Sequence, residues 1–154
     1  KIPLIAAGGI GTGRGMLAAM NLGADAVQIG SRFVASNESS AHVNFKNVVV
    51  DAKEGDTQLT LKEITPVRLV KNEFYGQLQT AYENGATIDE LKSLLGRGRA
   101  KKGMFEGDLV EGELEIGQIS GLINKVIPAS EIVSEILSEY RAALSEQNNE
   151  KFKF

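Results

Sequence analysis

The sequence predicts an α/β fold built on parallel strands, from three observations near its start. Residues 3–7 are an apolar run bounded by Gly8 and Gly9, the pattern of a buried parallel strand entering a turn. Residues 14–22 place Met16, Leu17, Ala19 and Met20 on one side of a helix, capped by Thr12 or Gly13 and stopped at Gly23. Residues 24–29 are a second apolar strand, completing a β-α-β unit as in a parallel sheet or barrel.

Each strand ends in a glycine turn, and the two turns look shaped to meet one phosphate. Gly8 and Gly9 carry no Cβ and tolerate positive φ, so backbone can approach a ligand there. Gly30 and Ser31 offer backbone N–H groups and a hydroxyl at a strand's carboxyl end, where α/β folds hold ligands. A dinucleotide fingerprint is the rival explanation, and it needs G-x-G-x-x-G/A directly after a strand. Gly11 and Gly13 are followed at the required place by Met16, so that frame fails, and the frame Gly13, Gly15, Ala18 falls inside the expected helix.

The pattern changes at residue 36. Residues 36–116 read as an inserted, mainly helical lobe of short helices and charged turns. Within it Ala41, Phe45, Val48, Val49 and Ala52 recur at helical spacing, and residues 56–61 suit a short extended piece. Thr65-Pro66 reads as a helix start with Val70, Phe74, Leu78 and Tyr82 as its apolar stripe. Thr87 and Glu90 form a capping box before Leu91, Leu94 and Leu95. Residues 117–147 return to the α/β body through a helix opened by Pro128 and Ser130, with Ile132, Ile136, Tyr140 and Leu144 flanked by Val133 and Leu137 as a broad buried face. Residues 148–154 are a polar, frayed tail.

Bulk properties narrow the partners. A net charge of −3 over 154 residues is too balanced for a nucleic-acid or anionic-membrane partner. The absence of cysteine excludes disulfides, thiolate metal sites and a Cys nucleophile, and no metal site is expected. The apolar runs fall far short of the ~20 residues needed to span a bilayer. A cytoplasmic enzyme is the expected setting.

Four motifs carry a family resemblance: Ala6-Ala-Gly-Gly-Ile10, Gln28-Ile-Gly-Ser-Arg-Phe33, Glu38-Ser-Ser-Ala-His-Val-Asn-Phe-Lys46 and Gly117-Gln-Ile-Ser-Gly-Leu122. In this order they resemble the nitronate monooxygenase family, formerly 2-nitropropane dioxygenases, which also includes FMN-dependent enoyl-acyl-carrier-protein reductases. The resemblance runs to about Leu144. It implies a (β/α)8 barrel with FMN across the carboxyl ends of the strands and its phosphate gripped by the last two strand-end loops. On this chain residues 1–35 become the barrel end, and Gly8, Gly9, Gln28, Ile29, Gly30 and Ser31 the cofactor contacts. A complete barrel takes about 250 residues, so the chain is expected to be the C-terminal half. The family's catalytic histidine is expected upstream in a Gly-Gly-His motif, which this sequence lacks.

Two functions follow from the resemblance, and a third comes from a rival resemblance. The first is oxidation of an alkyl nitronate by O2 to a carbonyl compound and nitrite. The second is reduction of an enoyl thioester with NAD(P)H. A third is a flavin-free phosphate-binding barrel similar to inosine-monophosphate dehydrogenase, whose Gly-Gly-Ile and Gly-Ala-Asp-Ala-Val segments look like residues 8–27. Small-molecule substrate is the expected partner, and a homodimer stays open. His42, the only histidine, reads as structural rather than catalytic. Arg97, Arg99, Lys101 and Lys102 read as a solvated face or, under the reductase alternative, as a phosphate dock. Gly117 to Gly121 suits close packing against either the flavin or a helix.

Overall fold

The computed structural model describes residues 2–153. The chain divides into two compact units, Lys1–Ser39 with Lys125–Phe154, and Ser40–Asn124.

The first unit holds the predicted β-α-β motif. Strands β1 (Ile5–Ala7) and β2 (Ala26–Gln28) pair in parallel with Ala7 beside Gln28. Between them runs α1 (Gly13–Asn21), whose cap is Thr12, its hydroxyl accepting from the Gly15 N–H at 3.0 Å. The helix stops at Gly23, which has φ +104°. A single turn, α2 (Ser31–Val34), follows β2, and the long α7 (Ala129–Glu146) packs against α1. That contact depends on Gly13. A Cβ there would lie 2.1 Å from the Ile136 carbonyl oxygen and 2.2 Å from the Tyr140 nitrogen, so only glycine lets the helices approach this closely. The Gly13 N–H also donates to Glu139 at 2.7 Å.

Burial in this unit is narrower than expected. Of the predicted α1 face only Leu17 is fully buried. On α7 the buried residues are Ile132, Ile136 and Ala143, while Val133, Leu137 and Leu144 are exposed. The strands are more open than a buried parallel pair, because each has only the other as partner among the described residues.

The second unit is a closed lobe, and it corrects two expectations. Its boundaries fall at Ser40 and Asn124, not 36 and 116; at the second boundary the 3-10 turn Gln118–Leu122 packs on α3 (Val43–Asp51). The short extended piece expected near residues 56–61 is β3 (Thr57–Thr60), which pairs with β4 (Val67–Val70) in an antiparallel hairpin, and residues 114–116 bond the other edge of β4, Val70 N–H to the Leu114 carbonyl at 3.0 Å. Thr65 and Pro66 therefore lie in the hairpin connection rather than at a helix start. The helix α4 (Glu73–Glu83) begins after Asn72, whose side chain accepts from the Tyr75 N–H at 3.0 Å. Then come α5 (Ile88–Leu95), with the Thr87–Glu90 capping box as predicted, and α6 (Arg99–Met104).

Leu61, Leu69, Phe74, Leu78 and Leu91 form the lobe's core. Leu61 is the non-glycine residue with positive φ, +54°. Its N–H donates to the Tyr82 hydroxyl at 3.0 Å and its carbonyl accepts from Ile64 and Thr65, so the surrounding bonds hold a backbone conformation that costs on the order of 1 kcal/mol.

Candidate functional site

Parallel pairing carries the two glycine turns to one place. Because Ala7 sits beside Gln28, the next residues of each strand, Gly8-Gly9 and Ile29-Gly30-Ser31, leave the same edge of the two-stranded sheet side by side. Gly8 and Gly9 have φ +90° and +70°. A Cβ built at Gly8, Gly9 or Gly30 would meet nothing within 4 Å, so the missing side chains leave an open cradle against the backbone. Gly30 itself has φ −107°, so its glycine serves access rather than an unusual backbone angle. The Gly30 carbonyl accepts from Phe33 and Val34, which closes the turn into α2.

One step past Ser31, Arg32 is only 8% exposed. Its Nη2 donates to Glu135 of α7 at 2.7 Å, and Lys125 reaches the other carboxylate oxygen of the same Glu135. The Lys125 hydrogen bond, with the charges of Lys125 and Arg32, holds the Glu135 carboxyl below the usual carboxylate range. Reading of the sequence included Arg32 in a motif without giving it a role. The available signal was a charged residue set between Ile29 and the apolar pair Phe33-Val34, where a cation needs a partner.

The other candidates resolve as structure. His42 caps α3, its Nδ1 accepting from the Asn44 N–H at 3.1 Å, and its ring lies over Gly107. The basic cluster is largely spent on internal partners. Arg99 donates to the carbonyls of Leu94, Leu95 and Glu111, pairs with the Glu111 carboxylate at 3.1 Å and lies 4.2 Å above the Phe74 ring. Lys101 pairs with Glu106 and Lys102 with Asp108. Gly117 to Leu122 belongs to the lobe, where Gln118, Gly121 and Leu122 line a cavity of about 460 Å³ with Lys53, Thr57 and Arg68. Ser120 in the same turn is fully buried, and its hydroxyl has no hydrogen-bond partner.

Among the described residues no group of three His, Asp or Glu side chains could hold a metal ion, and no helix is long and apolar enough to cross a membrane.

A family model described as nitronate monooxygenase matches residues 1–139. The nitronate monooxygenase npaC of Metarhizium robertsii is 34% identical over 155 residues, an alignment that covers 94% of this chain and 43% of that protein. Among solved structures, FabK from Thermotoga maritima superimposes with a TM-score of 0.83 at 38% identity, covering 95% of this chain and 46% of that one. A nitroalkane oxidase from Streptomyces ansochromogenes gives 0.72 at 31%, covering 96% and 42%. The chain spans less than half the length of each of these relatives. The fold class expected from the sequence, the closing part of a (β/α)8 barrel with an inserted lobe, agrees with these neighbours.

Proposed function

The chain belongs to the nitronate monooxygenase family, and from that premise we propose that it supplies the FMN-phosphate grip of an oxidoreductase that oxidises alkyl nitronates with O2. The observation that supports this is the pair of glycine turns on one sheet edge, with open space where three Cβ atoms would stand. In this reading Gly8 and Gly9 admit the phosphate to the backbone, Gly30 and Ser31 donate to its oxygens, and Gln28 and Ile29 fix the second turn at the strand's end. FMN, when bound, would supply electron transfer from the nitronate to O2. The chain's own part is to bind and orient. In this reading His42, whose Nδ1 caps α3, has a structural part.

The family match supports a flavin oxidoreductase over the flavin-free barrel. Reduction of an enoyl thioester with NAD(P)H is a second reading, and the greater likeness to FabK than to the nitroalkane oxidase favours it. The internal bonding of Arg99 weighs against it, since that side chain is committed to the lobe and leaves the phosphate dock to the more exposed Arg97, Lys101 and Lys102.

The protein that carries this chain is expected to purify with flavin absorbance and to consume oxygen with propyl nitronate in the absence of nicotinamide. NADPH bleaching within turnover time, reversed by crotonyl thioester, would transfer the assignment to the reductase. Arg97→Ala then tests the dock by KM, because Arg99→Ala would disturb the lobe itself. Gly30→Val fills the cradle and should weaken FMN at least tenfold, about 1.4 kcal/mol. Unchanged affinity by fluorescence titration would move the phosphate elsewhere.

A further inference from the structure

We infer that Arg32 is a positioning residue for the cofactor phosphate, which it serves by anchoring the Gly30–Ser31 turn to α7 through Glu135. This rests on the FMN reading above. The anion contacts proposed there come from a turn and a single helical turn, α2, which is four residues long. A helix so short has little stability of its own, so its place is set by what it is fastened to.

The fastenings lie at two ends. At the far end the backbone does the work. Asn37 N–H donates to the Ile127 carbonyl at 3.1 Å, Ile127 N–H donates to Ala35, and Glu38 accepts from the Ala129 N–H at 2.8 Å. At the near end, next to Gly30 and Ser31, a side chain does it. Arg32 reaches α7 by a 2.7 Å charge-assisted bond, and Lys125 braces the same carboxylate from the opposite oxygen.

A planar guanidinium buried against a carboxylate that is itself held from its other side has little freedom to swing. Arg32 Nη1 is shielded from solvent, and Nη2 is engaged with Glu135. The action of Arg32 on the phosphate is indirect. Backbone donors must stay within a few tenths of an ångström of their acceptors, and a turn that drifts relative to α7 loses that placement.

The test uses the FMN-loaded protein that contains this chain, stripped and titrated with FMN. Arg32→Met should raise the FMN Kd about tenfold, speed FMN release and shift the 31P resonance of the bound phosphate. Arg32→Lys keeps a charge and should recover to within about threefold of the parent. Glu135→Gln breaks the same anchor from the other side with little change of shape, and the double variant should be no worse than the weaker-binding single. A fall in melting temperature with Kd and 31P resonance unchanged would make Arg32 merely structural and overturn the inference. Should Arg32→Met fail to fold, unchanged Kd in both Arg32→Lys and Glu135→Gln overturns it equally. A parent protein that binds no FMN removes the reading on which it rests.

Discussion

In the lobe, Phe45, Val49, Leu61, Leu69, Phe74, Leu78 and Leu91 are all essentially sealed from solvent, whereas in the barrel-end unit Ile2, Leu4 and Ile5 are 92%, 60% and 57% exposed. Both units are comparably rich in apolar residues, so composition does not separate them. The lobe folds back on itself: helices α4 and α5 cover the hairpin, and Arg99 ties the end of α5 to the segment before residue 114. In the barrel-end unit two parallel strands have no third neighbour among the described residues, and parallel strands are ordinarily covered on both faces. Order in the lobe therefore comes from its own core. Order in the barrel-end unit comes from a few specific contacts: Gly13 against α7, Arg32 against Glu135, and the Ile127 backbone bonds.

The largest expected effect sets the two cores against each other. Phe74→Ala empties the lobe's core and removes the ring beneath Arg99, and should cost about 3–5 kcal/mol. Leu4→Ala, at an exposed position just before β1, should cost less than about 0.5 kcal/mol. Urea unfolding of the two variants measures the contrast. Hydrogen exchange on the chain alone should show slow amides in α4 and fast ones in β1 and β2. Equal protection in both units would contradict the division drawn here.

A smaller effect asks whether the barrel-end unit depends on close backbone approach. Gly13→Ala drives a methyl into the backbone of α7 and should destabilise by about 2–3 kcal/mol. Gly76→Ala, the same change inside α4 with nothing within 4 Å, should stabilise the lobe by about 0.5–1 kcal/mol. Opposite signs for one substitution would come from packing alone. Two stabilising results would show that α1 and α7 can move apart at little cost.

What was legible in the sequence divides along the same line. The β-α-β unit and the Thr87 capping box could be read because each is signalled locally, by glycines at strand ends and by a Thr and a Glu three residues apart. The hairpin was missed because Val70, Phe74, Leu78 and Tyr82 keep a spacing of four that runs on across the true helix start at Asn72. The cap of Asn72 on Tyr75 was the better signal. On α7 the periodicity located the apolar stripe but could not say which part of it finds a partner, so Leu144 was expected inside and Ala143 is buried instead. The glycine turns at the ends of β1 and β2 were readable from turn chemistry. The Arg32–Glu135 anchor was not, since a pairing across 103 residues leaves no local trace.

The last expected effect is a difference in sign with pH. Glu113 lies in an extended segment of the lobe and is 8% exposed, its N–H bonded to the Arg99 carbonyl at 3.1 Å. Burial pushes its carboxyl up to about 7, the neighbouring Glu115 adds to the rise, and Arg99 opposes it. Folding therefore favours the protonated form. That contribution is complete below the ordinary carboxylate value near 4.5 and is lost as pH rises through 7, on the order of 2 kcal/mol. Glu135 in the barrel-end unit is shifted the other way, chiefly by Lys125, so its contribution is present above the ordinary value and is lost as pH falls below it. Between pH 5 and 8 the lobe should thus lose stability while the Arg32 anchor stays intact. Urea midpoints across this range, read by hydrogen exchange of lobe amides, should fall with rising pH in the parent and fall less in Glu113→Gln, where Glu115, also raised by burial, remains. A parent midpoint that rises over the same range would mean that Glu113 is ionised and satisfied inside the lobe, and that the lobe's core tolerates a buried charge as the barrel-end unit does at Arg32.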